Sequence, residues 1–397
     1  MTRDLAVLGV GMHPWGKWGR NFVEYGIVAA REALKDADIE WRDVQFVSGG
    51  DTVRNGYPGF VAGATFAQAL GWQGAQVASS YAACASGVTA LSTARAQILA
   101  GFADVAMIVG ADTTPKGFLA PTKGERGDDP DWLRFRLLGA TNPTYFAFYA
   151  RRRMELFGAT REDFAQIKVK NSRHGLANEY ARFRKENTID DVLNAPMVSD
   201  PLSLLDICAT SDGAAAMIVT STDWADAHGY SNYVRIKGVS TVTPAYPNPV
   251  IEMPNFATDS KAGTATMPAM GFKDSIAHRA YEEAGVRPED VSCAEVYDLS
   301  TALELDWYEH IGLCAPGEAE VLLRSGATAL GGRIPVNTSG GLASFGEAVP
   351  AQAIAQLCEL TWQLRGQAGV RQVEGANVGL SINQGLFGHG SCVILSK

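Results

Sequence analysis

The chain has 397 residues, 46% of them hydrophobic and 19% charged, with a formal net charge of −9. That length allows two domains or one large two-lobed core, and the composition is ordinary for a soluble globular protein. The acidic balance argues against nucleic acid as a general partner while leaving room for a local basic pocket, and no apolar run approaches the ~20 residues of a membrane span.

The N-terminus, Met1-Thr-Arg-Asp-Leu-Ala-Val-Leu-Gly-Val10, reads as a first strand and not as a signal peptide. Six scattered cysteines (Cys84, Cys208, Cys293, Cys314, Cys358, Cys392) have no CxxC or zinc spacing, so the expectation is a reduced, cytoplasmic protein with no metal in this chain. Ala30 to Val44 reads as an alanine-faced helix, a turn and a strand starting at the valine.

Cys84 follows an apolar run ending at Ala78, lies among small residues and precedes a long helical pattern. A cysteine at a helix start meets free N–H groups and the positive end of the helix dipole, which favour thiolate, the nucleophilic form. The local sequence fits a cysteine packed as a small hydrophobe equally well; the rest of the chain favours the nucleophile.

Ala103-Asp-Val-Ala-Met-Ile-Val109 is a further strand, after a helix ending at Gly101. From about 115 to 200 the texture changes to arginines, aspartates, aromatics and turn formers, the mark of an insertion that covers a site or forms an interface. Arg151-Arg152-Arg153, with Arg134 and Arg136, forms a basic patch there that reads either as a solvated helix face or as a contact for a nucleotide phosphate.

Beyond this the chain repeats itself. Ala277 to Val291 aligns without gaps with Ala30 to Val44, and Ala376-Asn-Val-Gly-Leu-Ser-Ile382 echoes the 103–109 strand, again after a helix ending in glycine, Gly366. The period is too long for a solenoid and indicates a duplicated half, one unit over 1–230 and another over 231–397. Strands alternating with helices predict mostly parallel sheets with helices packed on them.

Four blocks make the chain resemble the thiolase superfamily, and within it the sterol-carrier-protein-type thiolases. They are the Cys84 segment, Asp200 to Ala216, Glu295-Val-Tyr-Asp-Leu-Ser300, and Val336-Asn-Thr-Ser-Gly-Gly-Leu-Ala-Ser-Phe-Gly-Glu347. The tail Gln363-Leu-Arg-Gly366 is also similar. The resemblance implies an α/β thiolase fold: two five-stranded βαβαβαββ halves in layered sheets and helices. It further implies a cysteine thioester, coenzyme A as substrate and a dimer or tetramer.

The departures matter more. Where the family pattern has His-Asp-Cys-Phe this chain has Tyr297-Asp-Leu-Ser300, and where it has Gly-His-Pro the chain has Gly346-Glu-Ala348. Both usual histidines and the second cysteine are absent, yet the chemistry still needs a base and an oxyanion site. Glu347 takes the histidine's place and is the candidate base, since a carboxylate in a dry pocket can act as one. His389, in the turn Gly385-Leu-Phe-Gly-His-Gly-Ser391, is a candidate second acid/base, with Gly388 and Gly390 as backbone donors. Tyr297 is a candidate donor to a carbonyl. His174 is similar to a family segment near the coenzyme-binding loops and, with Arg151, is a candidate coenzyme contact. Asn337 and Asn383 read as loop-fixing residues.

Three functions follow from these residues. The first is a thiolase cleaving a non-standard β-ketoacyl-CoA, branched or aromatic in the manner of 2-benzoylsuccinyl-CoA, through Cys84. The second is a retro-aldolase acting on a steroid-type β-hydroxyacyl-CoA, for which Tyr297 speaks and Phe345, standing near an expected second tyrosine, does not. The third is a non-catalytic acyl-CoA-binding scaffold. The resemblance also implies a homodimer through the first-half sheet edge and a small OB-fold zinc-ribbon subunit docked near the insertion.

Overall fold

A computed structural model describes residues 4–51, 62–114, 142–245, 270–385 and 388–397. The first half contains β1 (Leu5–Gly16), α1 (Phe22–Ala37), β2 (Phe46–Gly50), α2 (Ala62–Leu70), β3 (Gln76–Ser80), α3 (Ser86–Leu99) and β4 (Val105–Asp112). It continues through α4 (Asn142–Phe157), α5 (Arg161–Leu176), α6 (Ile189–Leu193), the small hairpin of β5 (Met197–Ser199) and β6 (Leu202–Ser203), β7 (Asp212–Ser221) and α7 (Thr222–Ala227). The second half contains β8 (Val234–Val242), α8 (Phe272–Ala284), β9 (Cys293–Val296), α9 (Thr301–His310), α10 (Ala319–Arg324), α11 (Gly341–Ser344), α12 (Val349–Arg365), β10 (Val378–Gly385) and β11 (His389–Ser396). The turn-rich stretch 122–131, Arg134, Arg136 and most of the loops at 241–254 and 263–271 lie outside the described residues.

The sheet order β3-β2-β4-β7-β1-β8-β11-β10-β9 shows the duplication. Parallel pairing of β2 with β4 is matched by β9 with β10, and the halves meet where β1 and β8 pair antiparallel over Leu5–Ile236, Ala6–Arg235 and Val7–Val234. The self-matching segments form helix, 3₁₀ turn and strand in both copies, at Trp41–Asp43 and Pro288–Asp290. The strands start two residues later than the valines. The N–H groups of Val44 and Val291 are spent closing the 3₁₀ turns onto Trp41 O and Pro288 O, each at 3.2 Å.

Five strands are expected in each half, but among the described residues the second half has four. The position corresponding to β3 is reduced to one bridge, Ala294–Val336. Pairing stops there because Asn337 adopts φ 55°, and its side-chain Oδ1 accepts the Val296 N–H at 2.8 Å in place of a ladder carbonyl. The segment after Val336 is therefore the second half's counterpart of the Cys84 segment after β3.

Helices α3 and α12 form the central layer, packed against strands of both halves, while α1 and α2 cover the outer face of the first half and α8 that of the second. Of the 17 residues of α12, all but Trp362 and Arg365 are buried, as expected of a helix enclosed on every side.

An ion-pair cluster ties α4, α8, α9 and α10 together beside this core. Arg153 pairs with Glu320 at 2.7 Å and Glu309 at 2.6 Å, Lys273 pairs with Asp306, and His310 contacts Asp274 at 2.7 Å and Asp306 at 3.5 Å. Burial alone would lower the His310 pKa, but Asp306 and Asp274 outweigh it and raise it to about 9. A histidine whose folded pKa lies above its unfolded one stabilises the fold fully below the unfolded value of 6.5; that contribution disappears as pH rises through about 9. Urea unfolding should therefore show up to about 3 kcal/mol more loss of stability between pH 6.5 and 9.5 in the wild type than in His310→Gln. Parallel pH profiles would exclude a charged His310.

Candidate active site

Cys84 lies between β3 and α3, two residues before the first residue of that helix. The approach is tight: Ala83 has φ 49°, a left-handed conformation rare for a residue with a side chain. Ser86 holds it there, its Oγ accepting the Ala82 N–H at 2.9 Å and donating to Ala83 O at 2.6 Å. The result is a nearly buried thiol, 6% exposed, at the amino end of α3.

Glu347 is brought to it by the second half. The short segment 207–211 acts as a spacer between two motifs. Ile207 bridges Ser300, Cys208 N–H donates to Leu299 O at 2.9 Å, and Ala209 N–H donates to Leu342 O at 2.9 Å. Glu347 N–H donates to Ala209 O at 2.9 Å, and its carbonyl accepts the Ser211 N–H at 2.7 Å. Gly346 permits this, with φ 113° and a missing Cβ that would stand 2.4 Å from Ser211 Oγ.

The Glu347 carboxylate, 2% exposed, has three side-chain neighbours. Tyr297 Oη donates to its Oε1 at 2.5 Å, Cys84 Sγ lies 3.9 Å from the same oxygen, and Cys208 Sγ donates to Oε2 at 3.3 Å. All three are acidic hydrogens, and Glu347 forms no ion pair among the described residues. Burial first, and then Cys84 and Glu347, push the Tyr297 pKa well above its ordinary value; burial and Glu347 do the same to Cys208. Both therefore stay protonated and donate to Glu347. A thiol facing a buried carboxylate can hand over its proton when a substrate carbonyl arrives.

A buried shell holds the motif behind these groups. Tyr297 O accepts from Trp307 Nε1 at 2.9 Å, and Asp298 accepts from Leu342 N–H at 2.8 Å and Asn171 Nδ2 at 3.2 Å. Asn337 Nδ2 donates to Glu304 at 2.8 Å and Asn383 Nδ2 donates to Gln356 at 2.8 Å, so both asparagines fix loops.

The structure thus brings Cys84, Tyr297 and Glu347 together and separates the other candidates. His174 is buried with both ring nitrogens engaged: Nδ1 contacts Asn337 O at 2.9 Å, and Nε2 accepts the Leu330 N–H at 3.0 Å. Burial followed by the nearby Lys170 charge lowers its pKa to about 3, so it is a neutral clamp with no nitrogen left for a coenzyme. Arg151 is exposed and paired with Asp200 on the surface. His389 is half-buried opposite Gly385 at the mouth of the β10–β11 hairpin, and its ring makes no hydrogen bond with Cys84, Tyr297 or Glu347.

The glycine expectations shift along the turn. Gly388 N–H is used to close it onto Gly385 O at 3.3 Å, and Gly390 is a ladder residue whose missing Cβ faces Ile276 and Phe272. The glycine lying against the Cys84 segment is Gly385, where a Cβ would stand 2.9 Å from Ala82 O and 3.4 Å from Cys84 N. Phe345 is turned into the core against Trp15, ring centroids 4.9 Å apart, so it is no substitute for a second tyrosine at the site.

Sequence reasoning missed two residues, Gly385 and Cys208. The only signal for Cys208 was a cysteine within a small-residue block that otherwise reads as packing.

Comparison with known proteins places the chain in a family. The thiolase N-terminal domain model matches residues 19–223, and the thiolase C-terminal domain-like model matches 258–397. Sterol carrier protein 2 of Bos taurus is 34% identical over 394 residues, covering 96% of this chain and 70% of the relative. The benzoylsuccinyl-CoA thiolase subunit BbsB of Thauera aromatica is 33% identical over 376 residues, covering 94% and 92%. Among solved structures, the Ltp2-ChsH2(DUF35) aldolase superposes with TM-score 0.82 at 25% identity over 99% of this chain and 97% of that one. Human mitochondrial 3-ketoacyl-CoA thiolase superposes with TM-score 0.73 at 15% identity, over 100% and 99%, a likeness of fold.

Proposed function

The chain belongs to the thiolase family and is an acyltransferase, and on that premise we propose that it cleaves a branched or aromatic β-ketoacyl-CoA with free coenzyme A. The observation that carries this is the Cys84–Glu347–Tyr297 contact at the junction of the two halves. Glu347 takes the thiol proton, and the Cys84 thiolate adds to the β-carbonyl. The Cα–Cβ bond then breaks: the acyl group stays on sulfur as a thioester, and the departing enolate takes the proton held by Glu347 and leaves as the shortened acyl-CoA. The thiol of free coenzyme A then attacks the thioester, releases the second acyl-CoA and returns the proton to Cys84. Backbone N–H groups around Cys84 and Gly385 are the candidate oxyanion donors, with Tyr297 O–H beside them.

Two features support an unusual acyl group. The wall beside Tyr297 is aromatic, built from Tyr145, Phe146, Tyr149 and Trp307. One relative is itself named for benzoylsuccinyl-CoA. The Tyr297–Glu347 bond and the aldolase neighbour favour one second reading, retro-aldol cleavage of a β-hydroxyacyl-CoA. The two separate on their demand for coenzyme A. Purified protein should cleave β-ketoacyl-CoAs only when free coenzyme A is added; cleavage of β-hydroxyacyl-CoAs without it would establish the aldolase instead.

We also propose a homodimer and a small OB-fold zinc-ribbon subunit. The second is supported by the DUF35 component of the aldolase complex and by the description of BbsB as a subunit. The first is supported by β3, which among the described residues is an edge strand of the nine-stranded sheet and leads directly to the Cys84 loop. Val77 on β3 is 40% exposed, so apolar surface and an edge strand coincide there. Light scattering should give twice the chain mass for the wild type and the chain mass for Val77→Lys. A monomeric wild type would remove the dimer.

A further inference from the structure

A cavity of about 530 Å³ lies beside Cys208, between α5, the 182–187 segment and the 204–210 segment. Cys208 is among its lining residues and its thiol is bonded to Glu347, so this side chain links the cavity to the Cys84 site. Its charge is one-sided. Lys168, Arg182 and Lys185 line it against a single carboxylate, Asp191, which is already engaged in capping α6 through the Thr188 N–H at 2.8 Å.

Lys168 is the unusual member. It is 2% exposed, yet its ammonium touches only Ala343 O at 2.7 Å and Ser344 Oγ at 3.0 Å, with no carboxylate in ion-pair range. Asp298 and Asp206, the acids whose fields reach it, are bound elsewhere, Asp298 to Leu342 N–H and Asn171, and Asp206 to Ser203 N–H and Thr301. Burial lowers its pKa to about 8, as expected of a desolvated ammonium lacking its own counter-ion. Arg182 likewise forms no ion pair among the described residues: its guanidinium donates to the Thr210 backbone oxygen and lies over the Phe183 ring, 4.6 Å from the centroid. A buried cation with no paired charge is costly unless something anionic completes it. The other walls, Phe183, Leu204 and Ile207, are apolar, so the ligand the cavity fits has an apolar chain as well as a charge.

We propose that this cavity seats a carboxylate carried on the acyl part of the substrate, so that the chain acts on dicarboxylic acyl-CoAs. The assignment rests on the reading that acyl-CoA thioesters are the substrates, but not on which bond Cys84 breaks. Lys168 supplies the fixed positive end, Arg182 and Lys185 the mouth, and the acyl chain lies along the apolar wall toward Glu347.

The test measures binding and not turnover, using Cys84→Ala protein so that no acyl transfer intervenes. Calorimetric titrations compare glutaryl-CoA, its neutral counterpart valeryl-CoA, and coenzyme A alone. Glutaryl-CoA should bind at least about tenfold tighter than valeryl-CoA. Adding Arg182→Met or Lys185→Met should reduce that preference to about twofold or less while leaving valeryl-CoA affinity unchanged. Lys168→Met should do the same, and the two more exposed substitutions keep the test valid if the buried one fails to fold. Equal affinity for the two thioesters would overturn the proposal. So would parallel weakening of all three ligands by Arg182→Met, which would place the coenzyme's phosphates in the cavity. Failure of the cleavage reading would appear separately, as a wild type that binds with this preference but turns nothing over.

Discussion

Cys84→Ala should abolish coenzyme A-dependent cleavage, lowering kcat/KM by at least about 10³-fold, because the covalent route has no other thiol in its place. Cys208 is the nearest alternative, but its sulfur is buried behind Glu347 and held protonated by that burial and by the Glu347 charge. The substitution removes one sulfur from a site 6% exposed and leaves the Ser86 clamp on Ala82 and Ala83 intact, so the thermal unfolding midpoint should change little. The decisive readout is intact-protein mass spectrometry after exposure to candidate acyl-CoAs: the wild type gains one acyl mass on the Cys84 peptide and the variant gains none. Wild-type cleavage rates in the variant would eliminate the acyl-enzyme and leave the retro-aldol reading.

Glu347→Gln should cost about 10²- to 10⁴-fold in kcat, the usual range for removing a general base. Gln is isosteric, and its carbonyl oxygen can still accept the Tyr297 hydrogen bond of 2.5 Å, so the fold and acyl-CoA affinity should persist. What disappears is the ability to take the Cys84 proton. The loss should therefore fall on acylation and shrink as the assay pH is raised, where solvent base deprotonates the thiol. Stopped-flow measurement of acyl-enzyme formation against pH checks this. A Gln variant that acylates at the wild-type rate near neutrality would remove Glu347 as the base and leave it a holder for Tyr297 and Cys208.

Much of this site was legible in the chain because it rests on local rules. A cysteine among small residues before a helix has one set of backbone neighbours wherever the rest of the fold goes, and Cys84 has them. The duplication was legible for the same reason: helix, turn and strand in 30–44 and 277–291 are decided by short-range periodicity and by the same 3₁₀ closure at Val44 and Val291. Tyr297 and Glu347 were identifiable as departures within recognisable motifs.

The tertiary structure decided which candidates share a volume. Tyr297 and Glu347 are 50 positions apart, and Glu347 is 263 from Cys84; they meet because the 207–211 segment hydrogen-bonds to both motifs at once. Cys208 belongs to that segment, so its thiol reaches Glu347 only once both halves are packed. The same packing turns His174 inward onto two backbone groups, where burial removes its charge, and leaves Arg151 on the surface against Asp200. A residue type can propose a chemistry from its neighbours along the chain. Distance, desolvation and available hydrogen bonds are properties of neighbours across space, and they put the Glu347 carboxylate beside Cys84 while engaging His174 elsewhere.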